Sequence, residues 1–228
     1  MNLLQKISFK LSPTLYKVGQ NVHSLLFKQG QLRSIREARP VRADGSWVPW
    51  YTYPATEYLS QFDWTECAVF EYGAGGSSLF WAARAREVTS VDRDADWVRR
   101  LQVQAGRNLR LLLRTTRREY VAAIHESADS FDLVIIDGHW RHDCAQAAME
   151  RLHRRGILLV DNSDNFPLVG RNLREEGFFQ IDFSGFGPIN NYAWTTSLFV
   201  RCDAGPNRRS EPNPIAGLGM TVGPEDEP

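Results

Sequence analysis

Net charge is the first thing this chain lacks: 27 Lys and Arg stand against 27 Asp and Glu, so no overall field draws it to nucleic acid or to an anionic surface. Recognition must be local. Cysteine is scarce as well. Cys67, Cys144 and Cys202 are odd in number and widely spaced, which excludes a disulfide framework and paired zinc ligands. A cytoplasmic home is therefore expected. No apolar run approaches the roughly 18 residues of a membrane-spanning helix, and residues 1–10 lack the regions of a secretory signal.

The 228 residues, 43% hydrophobic and 24% charged, suit one globular domain with a sizeable core. Three stretches are expected. Residues 1–46 form a basic helical segment, with Leu15, Val18, Val22 and Leu25 at helical spacing and Lys10, Lys17, Lys28, Arg33 and Arg36 beside them. The segment reads as one or two amphipathic helices packed on the domain or on a second copy of the chain, giving a homodimer. A membrane-surface helix is the alternative. Residues 47–202 form the main domain. Residues 203–228 hold five of the eleven prolines and four glycines with almost no apolar periodicity, so a disordered tail is expected.

In the main domain short apolar runs alternate with helical patterns, as in βα units around a parallel sheet. Five strands are predicted, at 67–71, 88–92, 109–113, 133–137 and 157–161, each apolar enough to be covered on both faces. Helices are predicted at 78–85, 94–104, 118–125, 142–154 and 168–176. Strand-like segments at 178–183 and 194–200, joined by the turn-rich 184–191, close the sheet as an antiparallel pair. The fold class is thus α/β: a doubly wound, Rossmann-like sheet of about seven strands.

The first strand runs into Glu71-Tyr72-Gly73-Ala74-Gly75-Gly76-Ser77-Ser78, a glycine-rich strand-to-helix turn that lets a ligand approach backbone closely. Such turns serve dinucleotides and S-adenosylmethionine alike. Glu71 favours the second, because a carboxylate repels a pyrophosphate but can hold the ammonium of a methionine moiety, directly or through water. Ser78 also stands where G-x-G-x-x-G needs its third glycine. The next strand ends in Asp92, placed to accept two ribose hydroxyls; a helix N-cap is its plainer role, although Asp94 suits that better.

The pair 69–78 and 88–92 resembles motif I and the ribose-binding acid of class I S-adenosylmethionine-dependent methyltransferases, over roughly residues 47–201. The resemblance implies their sheet of parallel strands closed by an antiparallel pair, and S-adenosylmethionine at Glu71, Gly73, Gly75, Gly76, Ser77, Ser78, Asp92 and Asp137. The third strand meets Arg114-Thr115-Thr116 rather than an acid, so adenine contacts are left unassigned.

Two more strands end in acids, Asp137 and Asp161, and strand ends of an open parallel sheet converge on one crevice. Asp137, Asp161 and Asn162 offer hard oxygen donors suited to Mg2+. The set is similar to the metal site of catechol O-methyltransferase, except that Gly138 intervenes before His139-Trp140-Arg141. That family's basic lysine would fall on Arg141, which stays protonated. His139 is therefore the candidate catalytic proton acceptor, with a structural role in the loop as the alternative. Together with 161–164 and 194–199, these motifs are similar to a group of bacterial class I methyltransferases.

The expected activity is methyl transfer to a small-molecule acceptor, at oxygen rather than nitrogen because an Asp/Asn-Pro-Pro-Tyr motif is missing, with or without a divalent metal. A non-catalytic nucleoside-binding module and an NAD-dependent oxidoreductase are the competing readings. Trp47, Trp50, Tyr51 and Tyr53 form an aromatic cluster that belongs either to the core or to a substrate pocket wall.

Overall fold

A computed structural model describes residues 12–127 and 130–201. The expected tail, residues 1–11 and Cys202 lie outside them. Seven strands form one sheet in the order β3-β2-β1-β4-β5-β7-β6: β1 Ala68–Tyr72, β2 Glu87–Asp92, β3 Leu109–Leu113, β4 Phe131–Ile136, β5 Leu152–Val160, β6 Phe178–Gly185 and β7 Trp194–Arg201. The first five pair in parallel, and β7 inserts antiparallel between β5 and β6. The closing antiparallel pair is the arrangement the sequence pattern predicts.

Both faces of the central strands are buried, and the period of two sorts their side chains. Phe70, Tyr72, Val134, Ile136, Leu158 and Val160 pack on one face, under α6 Arg117–Ala122, α7 Arg141–Arg151 and α8 Pro167–Glu175. Val69, Leu133, Ile135 and Leu159 pack on the other, under α3 Tyr53–Leu59 and α4 Gly76–Ala82. The remaining helices are α1 Pro13–His23, continued by a π-helical turn Ser24–Lys28, α2 Gln31–Glu37 and α5 Ala95–Gln102. Asp94 caps α5 as expected, its Oδ1 accepting from the backbone N–H of Asp96 and Trp97 at 2.9 and 3.0 Å.

Three expectations need correction. The helix predicted to reach 154 stops at Arg151, and β5 begins at Leu152 rather than 157. Leu152 keeps the apolar i, i+4 stripe but is extended; it pairs with Phe131 across a register shift, while His153, Arg154 and Arg155 turn to solvent. Residues 53–59 form a helix that the aromatic cluster concealed, opened by Pro54 in its first turn. Finally, Leu15, Val18 and Val22 on α1 are exposed and none of its residues is fully buried, so the described residues do not cover the apolar face that the spacing marks.

Candidate functional site

At the carboxyl ends of β1, β2, β4 and β5 lies a cavity of about 620 Å3, within the range of small-ligand pockets. Gly73, Gly75, Gly76 and Ser77 of the loop after β1 line it, as do Asp92, Asp137, His139, Asp161 and Asn162. Nearly all the residues singled out in the sequence therefore meet at one place. The rest of the lining comes from Ala38, Arg39, Pro40 and Trp50 ahead of β1 and from Asn190, Tyr192 and Trp194 around the start of β7. The chain on either side of the first stretch is tied to the approach to β7: the Gln31 amide donates to the Gly187 and Asn190 carbonyls at 3.0 and 3.3 Å, and Tyr53 N–H donates to the Phe186 carbonyl at 2.8 Å.

The glycine loop owes its shape to two close approaches. Gly73 has φ +98°, and a Cβ there would stand 2.8 Å from the Asp137 carbonyl and from Gly138 Cα. A Cβ on Gly138 would stand 2.0 Å from Tyr120 Oη and 2.9 Å from Gly73 N. The backbones after β1 and β4 thus touch, and only glycine fits at either point. The residue that looked like an interruption of the acidic motif is the one that allows this contact.

Glu71 and Ser78 depart from the expected cofactor contact. Glu71 is fully buried, its Oε2 accepting from Ser90 Oγ at 2.8 Å and from Ser78 Oγ, and neither residue lines the cavity. Ser78 Oγ in turn accepts from Gly75 N–H at 3.0 Å. The carboxyl holds the loop from beneath through Oε2, while Oε1 is buried without a hydrogen-bond partner among the described residues. Burial, against the opposing hydroxyl contacts, pushes its pKa up to about 7.

Asp92 does reach the cavity. One oxygen accepts from Asp94 N–H at 2.9 Å. Burial raises its pKa, opposed by hydrogen bonds from the backbone N–H groups of Asp94, Arg93 and Ala74. Trp97, missed in the sequence, lines the same end and donates its indole N–H to the Ala74 carbonyl at 2.6 Å. Its position one turn into the helix that Asp94 caps was the available signal. Of the aromatic cluster only Trp50 lines the cavity; Tyr51 and Tyr53 are buried, and Trp47 lies over Gly76.

The acidic edge is organised by Arg141. Its guanidinium donates to Asp137 Oδ1 at 3.2 Å, Asn162 Oδ1 at 3.4 Å, the Gly138 carbonyl at 3.0 Å and the Asp161 carbonyl. Asp161 Oδ1 is already engaged, accepting from Trp194 Nε1 at 3.0 Å and Thr196 Oγ1 at 2.5 Å. A cation thus sits among the oxygens expected to ligate Mg2+, and among the described residues no cluster of three or more His, Cys, Asp or Glu could hold a metal. The metal set does not fit, because a guanidinium takes its place electrostatically. Burial raises Asp137 to about 7 against the opposing pull of Arg141, and burial plus the Asp137 charge raises Asp161 well above the carboxylate range.

No protein-family model matches the chain, and no curated protein matches it. Solved structures do. A precorrin-6y C5,15-methyltransferase from Geobacter metallireducens aligns over 62% of this chain and 84% of its own, at 14% identity with a TM-score of 0.51. The chain shares that protein's fold, a Rossmann-like α/β sheet. A methyltransferase-like protein from Silicibacter pomeroyi aligns over 74% of this chain and 92% of its own at 20% identity, TM-score 0.47. An rRNA methylase from Streptococcus thermophilus aligns over 65% and 97% at 16%, TM-score 0.48. The likeness to the Geobacter protein concerns architecture alone.

Proposed function

We propose that this chain transfers a methyl group from S-adenosylmethionine to a small-molecule acceptor, at oxygen. One observation carries the reading: the glycine loop after β1 and the Asp92 carboxylate after β2 face a single cavity beyond the strand ends, where a nucleoside cofactor binds in open α/β sheets. The residues present suit that cofactor. Gly73, Gly75 and Gly76 leave backbone bare for close approach, and Asp92 has acceptor capacity for ribose hydroxyls. Asp137, on the cavity and partly exposed, takes the role toward the ammonium that the motif alone assigns to Glu71.

When bound, the cofactor supplies an electrophilic sulfonium methyl. The chain's own contribution is positioning and proton handling. Trp50, Tyr192 and Trp194 wall the acceptor side against water, while Asn162 and Asn190 offer hydrogen bonds there. Arg141 keeps Asp137 and the β5 end in place. His139 is the proposed proton acceptor for the attacking hydroxyl.

Calorimetry with S-adenosylmethionine, its demethylated product and NAD tests the cofactor. Binding of the first two and not the third is expected, and Asp92→Ala should weaken it by about 1.5–3 kcal/mol. NAD binding alone would replace the reading with the oxidoreductase; cofactor binding with no turnover across a broad acceptor screen would leave the nucleoside-binding module. Once an acceptor is in hand, His139→Ala should lower kcat with cofactor affinity unchanged. Loss of affinity instead would assign the imidazole to the nucleoside end.

A further inference from the structure

The helix α1 and the π-helical turn after it present Leu15, Val18, Val22 and Phe27 to solvent, between 49% and 72% exposed, while the domain fully buries none of the residues of α1 or the turn. Leu15, Val18 and Val22 recur at three and four residues and so share one face. An apolar face of this kind needs an occupant, and the charge of the segment names one. From residue 1 to residue 36 there is no Asp or Glu, while Lys6, Lys10, Lys17, Lys28, Arg33 and Arg36 give six cations, of which Arg33 is paired with Glu37 at 2.6 Å. The rest of the chain then holds 21 basic against 27 acidic side chains. The neutral total conceals a positive head on a negative body.

We propose that this face docks on an anionic lipid bilayer, the apolar residues entering the interface and the cations lying over the headgroups. A second copy of the chain is the poorer occupant, because it would bring the same six cations against the first set. A helix with its side chains is about 10–12 Å across, close to the Debye length of about 8–10 Å, so even cations on the far side of α1 feel the surface. The placement also has a use. The helix α2 follows this segment directly, and the chain after it lines the cavity through Ala38, Arg39 and Pro40, so the docked segment leads along the chain into the wall of the site. The inference stands apart from the methyl-transfer reading, since vesicle binding needs no cofactor.

The full chain is to be sedimented with vesicles of phosphatidylcholine alone and of phosphatidylcholine mixed equally with phosphatidylglycerol. Binding to the mixed vesicles only, reversed by salt, is expected. Each cation near an anionic surface contributes a factor of about five, so Lys17→Gln with Lys28→Gln should weaken binding roughly 25-fold. Leu15→Asp with Val22→Asp should abolish it, with the melting temperature held because both positions are exposed. Three results would overturn the proposal: no binding to the mixed vesicles, undiminished binding of the Asp variant, or a dimer in sedimentation velocity that the Asp variant dissolves. A fall in melting temperature of the Asp variant would also overturn it, by showing the face to be packed.

Discussion

Replacing Glu71 with glutamine separates a carboxyl that props the loop from one that touches the cofactor. Burial lifts Glu71 to about 7 from an ordinary 4.5, a rise worth about 3 kcal/mol at 1.36 kcal/mol per unit. The folded form therefore holds its proton more tightly than the unfolded form. Stability is full below the unfolded value near 4.5, falls as pH rises towards 7, and is flat above. The glutamine keeps an oxygen that accepts from Ser78 and Ser90 and has no charge to bury. In thermal melts the variant is expected to match the wild type near pH 4 and to exceed it by roughly 6–12 °C at pH 8, taking about 2–4 °C per kcal/mol for a chain of this length. Asp137 and Asp161 also titrate high and both proteins carry them; the part of the Asp137 rise that the Glu71 charge causes is lost in the variant, which adds to its advantage at high pH. Calorimetry should show S-adenosylmethionine affinity changed by less than about threefold. A melting difference that does not vary with pH would refute the assignment of the buried charge. A loss of affinity beyond about tenfold would restore the direct contact.

Gly138→Ala forces a methyl against Tyr120 Oη and Gly73 N and is expected to cost about 1–3 kcal/mol in urea denaturation; adding Tyr120→Phe should recover part of that, and no recovery would argue against the contact. Arg141→Met leaves Asp137 and the Asp161 carbonyl without their donor and should destabilise by roughly 3 kcal/mol, read by the same melts. An unaffected Tm would mean that the guanidinium does not hold the acidic edge. Turnover of the acceptor should persist in excess chelator, because Arg141 already sits among the oxygens a metal would need; abolition by chelator with rescue by Mg2+ would reverse that conclusion.

The parallel strands were legible because each is a short apolar run: Leu109–Leu113 stands where the pattern put it, and Asp92, Asp137 and Asp161 arrive at one crevice because parallel strands deliver their ends to the same edge. The cap at Asp94 was legible for a local reason, since capping involves only the next three residues. What escaped depends on partners far along the chain. Glu71 faces inward because Ser90, on the neighbouring strand, and Ser78 bond it there. Asp137 and Asn162 looked like free donors until α7 swung Arg141 between them. Leu152 satisfied a helical stripe and a buried strand end equally well, and only pairing with Phe131 chose. Trp47, Trp50, Tyr51 and Tyr53 could not be sorted into wall and core without knowing which side of the connection faces the sheet.

The contact between Gly73 and Gly138 also bears on traffic through the site. With the two backbones in touch and no side chain between them to rearrange, the floor of the cavity has little slack to spread apart. Any widening that admits a cofactor or releases a product falls to the remaining wall, where residues 31–53 and 186–194 are joined by hydrogen bonds from Gln31 and Tyr53. Exchange of small molecules is thus channelled to the gap that wall guards, past Trp50 and Tyr192, and its rate answers to how firmly Gln31 holds the Gly187 and Asn190 carbonyls.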